Sequence, residues 1–343
     1  MHARWASLQE GCAELASPFF RPEFTESVAA VRDDVFVAQI FSGGATVGFF
    51  PFQRTRLGFG YPVGGGRSNY QGVVAEPGIE WDASTLIRAC GLRAYAFDHA
   101  LASQRALRPY HASCSPSSVI DVSGGYDGFL ANRRACGSEI VAQTERKARK
   151  LEREIGPLQF EPESSDRALL RLLMRWKSDQ YARTGRVDQF AIPWNVALME
   201  RIHDARGPDF AGTLSVLRAG DRVAALVFGM RSRDTWHYWF PTYDRELSSY
   251  SPGVILLLRI THEAARRAMR VVDLGKDEAI YKTRFRTGVI DVADGQVIPS
   301  PSLAALIRIQ GRCVGLARDT PLAGPLRAVK RELRLRAGGG ARV

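Results

Sequence analysis

The sequence predicts an α/β (α+β) protein of two units, each a mixed, mostly antiparallel sheet flanked by helices. Three observations lead there. The chain has 343 residues, more than one compact core of roughly 100–200 residues usually takes up. Its second half reads helix, helix, three closely spaced strands, helix, strand, helix, strand, an order that builds a mixed sheet and not a doubly wound one. Between the halves, "EIGPLQFEPESSD" carries Gly156, Pro157 and Pro162, which cannot continue a helix.

Each element has its own warrant. "WASLQEGCAEL" puts Trp5, Leu8, Cys12 and Leu15 on one helical face. "DVFVAQIFSGGATVGFFPFQRT" is two apolar strands around Ser42-Gly43-Gly44, a hairpin signal. "YPVGGGRSNYQGVV" is a Gly-rich loop running into a strand, either a substrate loop or a wide turn. "DASTLIRACGLRAYAFDHALAS" opens on an Asp or Ser cap and predicts an amphipathic helix, and "SSVIDVS" predicts a short strand. A charged helix covers about 126–154. The units are therefore 1–155, which includes this basic connecting helix, and 165–300, followed by a basic helical tail over 301–343.

The second unit opens with the helices "SDRALLRLLMRWKSDQYARTG", with Leu169, Leu172, Leu173 and Trp176 on one stripe, and "PWNVALMERIHDARG". "FAGTLSVLRAG", "DRVAALVFGMRS" and "DTWHYWFPTYD" form an antiparallel meander. A helix (Pro252–Met269), a strand (Val271–Leu274), a short helix (Glu278–Phe285) and a strand over about 289–298 complete it.

Bulk properties narrow the class. The composition is 45% hydrophobic and 24% charged, ordinary for a globular chain. No apolar run approaches the ~20 residues of a membrane span, and the N-terminus lacks the apolar core of a secretory signal, which predicts a cytoplasmic protein. Five scattered cysteines (Cys12, Cys90, Cys114, Cys136, Cys313) argue against a disulfide framework, and six dispersed histidines give no metal signature. The net charge is +11, but only six of the 47 basic residues are lysine. An arginine excess with abundant Ala and Gly also arises from GC-rich coding, so the charge permits an anionic partner without demanding one.

"SSYSPGV" delivers a strand end into a helix N-terminus. Such a turn leaves backbone N–H groups unpaired and points the positive end of the helix dipole outward, a site for anions. Gly253 allows close backbone approach, Pro252 suits the first turn, and Ser248, Ser249 and Ser251 add hydroxyls. The same residues also read as a plain Ser251 cap.

The run "VLRAGDRVAALVFGMRSRDTWHYWFPTYDRELSSYSPGVILLLRITHEAARRAMRVVDLGKDEAIYKTRF" resembles the second half of the GNAT acyltransferase fold, and in particular the CelD/BcsL-like (cellulose-biosynthesis-associated) acetyltransferases, relatives of the FemABX peptidyltransferases. The likeness covers about 165–296. More loosely, "VGFFPFQRTRLGFGYPVGGGRSNYQGVV" and "FLANRRACGSEIVAQTERKARKLEREIG" resemble the sheet and the basic joining helix of tandem GNAT-like proteins. The resemblance implies acetyl-CoA as acyl donor, with the turn as its pyrophosphate cradle and Tyr243, Ser249, Tyr250, Ser251, Pro252 and Gly253 around it. It implies a polysaccharide or cell-envelope precursor as acceptor. The GNAT phosphate loop is usually Q/R-x-x-G-x-G/A; here Tyr250-x-x-Gly253-x-Ile255 keeps only the central glycine. FemABX relatives use the same cradle with aminoacyl-tRNA, so the donor could be a charged tRNA tracked by Arg133–Arg153. A catalytically silent module binding a glycan or a partner protein is the third reading.

Acyl transfer needs a base for the acceptor, an acid for the leaving group and donors for the developing oxyanion. Asp273 ends a strand beside the expected cleft, as base, acceptor holder or turn cap. Tyr243 and Asp244 end the third strand, where the GNAT sheet splays. Tyr281 and Lys282 match the family's aromatic-Lys pair, Tyr281 as acid and Lys282 facing phosphate or developing charge. The alternative makes them a core tyrosine beside a surface lysine. His237 in "TWHYWF" is either a base facing the cleft or a structural strand histidine, and the aromatics around it are packing or a sugar platform.

Overall fold

The computed structural model describes residues 1–277 and 279–302; the predicted basic helix over 301–343 lies almost wholly outside them. The chain starts with α1 (His2–Glu10), which stops sooner than the periodicity suggests. Gly11 ends it, and a 3-10 turn at Ala13–Leu15 still brings Leu15 into the core with Trp5 and Leu8, leaving Cys12 half-buried. After α2 (Pro22–Ala29) come β1 (Val35–Ser42) and β2 (Ala45–Arg54), paired antiparallel about Gly43 and Gly44, which both take positive φ.

β3 (Phe59–Tyr61), β4 (Val74–Ala75) and α3 (Ala83–Ala89) follow. The Asp82 carboxylate caps α3 by accepting from the Thr85 N–H at 2.7 Å. The amphipathic helix predicted from here to Ser103 is only half realised. Gly91, at φ +67, turns the chain into β5 (Ala94–Leu101). There Tyr95 and Phe97 are buried and alternate with exposed Ala96 and Asp98, a period of two that outweighs local helix propensity. β6 (His111–Asp121) follows.

The charged stretch forms two helices, α4 (Gly125–Ala135) and α5 (Ile140–Glu154), separated at Gly137, where φ is +66. The break expected between the units holds a strand: β7 (Leu158–Glu161) lies within it and pairs antiparallel with the later β8 (Phe210–Ala219). Four residues bounded by prolines carry too little periodicity to announce a strand. The remaining elements follow the predicted order: α6 (Arg167–Thr184), α7 (Pro193–Asp204), β9 (Arg222–Ser232), β10 (Thr235–Tyr243), α8 (Pro252–Arg266), β11 (Val271–Lys276), α9 (Ile280–Phe285) and β12 (Gly288–Val297).

All strands join one mixed sheet of order β1-β2-β3-β5-β12-β6-β11-β10-β9-β8-β7, with β4 on β2. The last strand among the described residues, β12, inserts between β5 and β6, and β11 joins β6 to β10. Along β9, Leu226, Phe228 and Met230 face a core shared with α1, α2, α6 and α7, while Ala225 and Val227 face α4, α5 and α8. Each large apolar side chain so buried contributes roughly 1.5–3 kcal/mol against exposure. No helix among the described residues is long and apolar enough to cross a membrane.

Candidate functional site

The sheet opens where β10 meets β11. They pair in parallel over three residues only, Thr235 with Val271, Trp236 with Val272 and His237 with Asp273. Beyond that point β10 turns away, and the β9–β10 register shifts between His237 and Phe240. Gly229 makes the shift possible: a Cβ there would sit 2.1 Å from the His237 carbonyl oxygen. The gap widens into a cleft of 2150 Å³ lined by β10, the end of β11, α9, the α8 N-terminus, α6 with the residues after it, and the loop around Gly66–Asn69. The Gly-rich loop of the first half thus reaches the cleft.

At the mouth, Ser251 holds φ +54, a left-handed conformation unusual for serine. It turns the chain from a 3-10 segment (Arg245–Tyr250) into α8. The amide inventory is leaner than the sequence suggests. Pro252 has no N–H, and the Val254 and Ile255 N–H groups both donate to the Ser251 carbonyl, at 3.0 and 3.2 Å. That leaves Gly253 as the amide facing the mouth, with the Tyr243 ring 3.5 Å from where its Cβ would be. A cation supplements it: Lys147 of α5 donates to Ser251 Oγ at 2.7 Å. Among the residues assigned to the donor, Tyr243, Ser251 and Gly253 line the cleft, whereas Ser249, Tyr250 and Pro252 do not. The Tyr250 hydroxyl instead donates to Glu154 at 2.8 Å, with Lys150 above its ring.

Behind the wall lies a buried polar chain. His237 and Asp273 are 0% and 1% exposed and stand under the cleft floor, not on it. The Asn69 amide nitrogen donates to His237 Nε2 at 3.1 Å, which puts the imidazole proton on Nδ1. Nδ1 is 3.3 Å from Asp273 Oδ2, close enough for attraction but out of line for a full hydrogen bond. The other carboxylate oxygen accepts from the Gly275 N–H at 2.8 Å. Phe19 meets the imidazole edge-on at 4.9 Å. Tyr70 donates to Ser117 at 2.9 Å, and burial together with the Asp273 charge pushes its phenol well up. Asn69 is the member that reaches the cleft.

On the opposite wall, Tyr281 and Lys282 both line the cleft. Burial, reinforced by Asp277, raises the Tyr281 phenol far above its ordinary range, so it holds its proton at neutral pH. Lys282 Nζ is 2.9 Å from Asp277 Oδ2. α6 adds Lys177, whose Nζ donates to Gln180 at 2.9 Å and lies 5.1 Å from the Tyr181 ring centre. Burial pulls Lys177 down to about 8, helped by Arg186 and Lys282. Arg67 stacks over Trp194 at 4.6 Å, and burial followed by the Arg32 charge lowers it to about 10, still a cation at neutral pH.

Residues 138–283 match the family model of an acetyltransferase (GNAT) domain. The matched stretch contains the β10–β11 opening, α8 and the start of α9. No curated protein matches the chain. Solved structures extend the likeness over nearly the whole chain. FemX has a TM-score of 0.57 at 9% identity, covering 86% of this chain and 95% of its own. The C-terminal domain of a putative lysylphosphatidylglycerol synthetase from Agrobacterium fabrum scores 0.52 at 14% identity, covering 92% and 98%. A conserved protein of unknown function from Bacteroides thetaiotaomicron scores 0.50 at 12%, covering 86% and 97%. At such identities these likenesses concern the fold, and that fold takes in the first half of the chain as well as residues 138–283.

Sequence reasoning missed Lys147, Asn69, Arg67 and Lys177. Lys147 was legible only as part of a basic helix, and its contact with Ser251 spans 104 positions. Asn69 meets His237 across 168. No local pattern encodes either meeting. Among the described residues, no cluster of His, Cys, Asp or Glu is arranged to hold a metal ion.

Proposed function

We propose that the chain is a GNAT-type acyltransferase that moves an acyl group, acetyl from acetyl-CoA, onto an amine or hydroxyl in the cleft between its halves. The carrying observation is the β10–β11 opening with the α8 N-terminus at its mouth. The donor's phosphates would meet the Gly253 N–H and Lys147 at the positive end of α8, and its acyl arm would enter between the strands. The acceptor nucleophile attacks the acyl carbon and the bond to the leaving sulfur breaks; the Tyr281 phenol gives its proton to the thiolate and takes the acceptor's proton in return, so the phenol ends the step protonated as it began. Asn69, oriented by His237 and Asp273, holds the acceptor; those two act by positioning, since both are sealed from the cleft. Lys282 supports charge on the same wall. A polysaccharide or cell-envelope precursor as acceptor and a place in the CelD/BcsL-like group rest on the sequence resemblance; a cytoplasmic setting rests on hydropathy along the sequence, and the division into units at 1–155 and 165–300 on chain length and the break around Gly156-Pro157.

The second reading, aminoacyl transfer from tRNA, is favoured by Lys147 standing on a basic helix beside the mouth, and it agrees with the fold likeness to FemX and to the putative lysylphosphatidylglycerol synthetase. Calorimetric titration with acetyl-CoA separates the readings. Saturable binding that disappears in Gly253→Trp is expected. No heat at millimolar acetyl-CoA, with charged tRNA bound and released by salt, would transfer the assignment to the second reading. Binding of neither, with a glycan retained in Gly253→Trp, would leave the silent module.

A further inference from the structure

We propose that the α6 side of the cleft is an oxyanion subsite, and that the acceptor carries a phosphate or carboxylate held by Arg67, Lys177 and Arg186. This deepens the acyltransferase reading and rests on it for the word acceptor; the binding itself does not. All three cations line the cleft. They gather around one aromatic ring: Lys177 stands over Tyr181, and the Tyr181 phenol feels the charges of Arg186 and Arg67 together with the larger opposing charge of Asp188.

What sets Arg67 and Lys177 apart is that each is at least partly buried with no ion pair among the described residues, with Arg186 exposed beside them. Elsewhere in the cleft, Lys276 pairs with Asp294 at 2.7 Å and Lys282 with Asp277 at 2.9 Å. Lys177, only 8% exposed, has a neutral amide as its partner. Arg67 has no carboxylate within ion-pair distance among the described residues, and its Nε is buried without any hydrogen-bond partner. Acids stand nearby but are otherwise engaged or turned to water. Asp188 accepts from Ser178 and from the Phe190 N–H at 3.1 and 2.9 Å, and Asp179 is exposed. Buried cations normally come paired, because desolvation penalises a lone charge. An unpaired guanidinium and an unpaired ammonium on one wall of an open cleft are therefore complementary to an anion that arrives with a ligand. The planar guanidinium suits the two oxygens of a phosphate or carboxylate.

Calorimetry with inorganic phosphate, pyrophosphate and succinate, at ionic strength fixed with sodium chloride, tests the subsite. Saturable binding of at least one probe is expected. It should weaken about tenfold or more in Arg67→Met and in Arg186→Gln, a loss of one charge-assisted contact each. Arg186 is exposed, so its variant keeps the fold even if Arg67→Met does not, and circular dichroism checks both. Lys147→Ala should keep the probe while losing acetyl-CoA, which separates this subsite from the donor mouth. Binding by the phosphates alone assigns a phosphorylated acceptor, and binding by succinate alone a carboxylated one. No saturable binding, equal binding in every variant, or loss confined to Lys147→Ala would overturn the proposal.

Discussion

An ammonium group on the inner side of α6 has lost most of its water, and its charge is correspondingly expensive. Burial holds Lys177 at about 8 against an ordinary 10.5. Below about pH 8 the folded and unfolded chains both carry the proton, so the destabilisation is present in full. Between about 8 and 10.5 the folded chain sheds the proton while the unfolded chain keeps it, and this group's contribution to stability rises with pH. Lys177→Met should therefore stabilise the protein at pH 7, by up to about 3 kcal/mol, with the gain fading by pH 10.5. Urea denaturation at the two pH values measures it. A gain independent of pH would mean that the ammonium is solvated and that desolvation is not its governing term. Function explains why such a residue is tolerated: an anion in the cleft would offset what burial costs. None of this was readable at Lys177 in the sequence, where it sits in "MRWKSDQY" like any helix lysine. Its burial comes from strands and loops far along the chain.

Among the elements, those fixed by neighbours in sequence were legible and those fixed by distant partners were not. The hairpin at Gly43-Gly44 and the β8–β10 meander pair strands adjacent in sequence through short turns, so turn chemistry and alternation sufficed. β5 was misread because "RAYAFDHAL" follows a capped helix, and its partners are distant: β3 some 35 residues earlier and β12 almost two hundred residues later. The loop at the α8 mouth was legible as a helix entrance. How few of its amides remain free was not, because that depends on the left-handed Ser251. β10 shows the same limit: its aromatic run announced a strand, but the shift beyond His237 depends on Gly229 across the sheet. Gly229→Ala should drive a methyl into the His237 carbonyl, cost about 3 kcal/mol and weaken acetyl-CoA binding by displacing the cleft wall. Thermal unfolding with calorimetry checks both. A variant with normal stability and normal affinity would remove the shift from any role in the opening.

At the scale of the molecule, the two halves are tied by a strand exchange more than by surface contact. β12 completes the first half's sheet between β5 and β6, and Trp5, Phe19 and Phe24 complete the core over α6 and α7. A chain ending at Arg286 should consequently fail to fold in either half, shown by loss of the cooperative unfolding transition. A truncated protein that keeps a sharp transition for residues 1–155 would make that half an independent unit.

The placement of β12 also sets a timetable. A ribosome releases β5 and β6 long before it reaches Gly288, so while the intervening residues are made two strands destined to be neighbours of β12 have open edges on either side of an empty lane. Such edges invite pairing with other chains. The nascent protein therefore carries this aggregation risk until a ten-residue strand has left the ribosome and filled the lane.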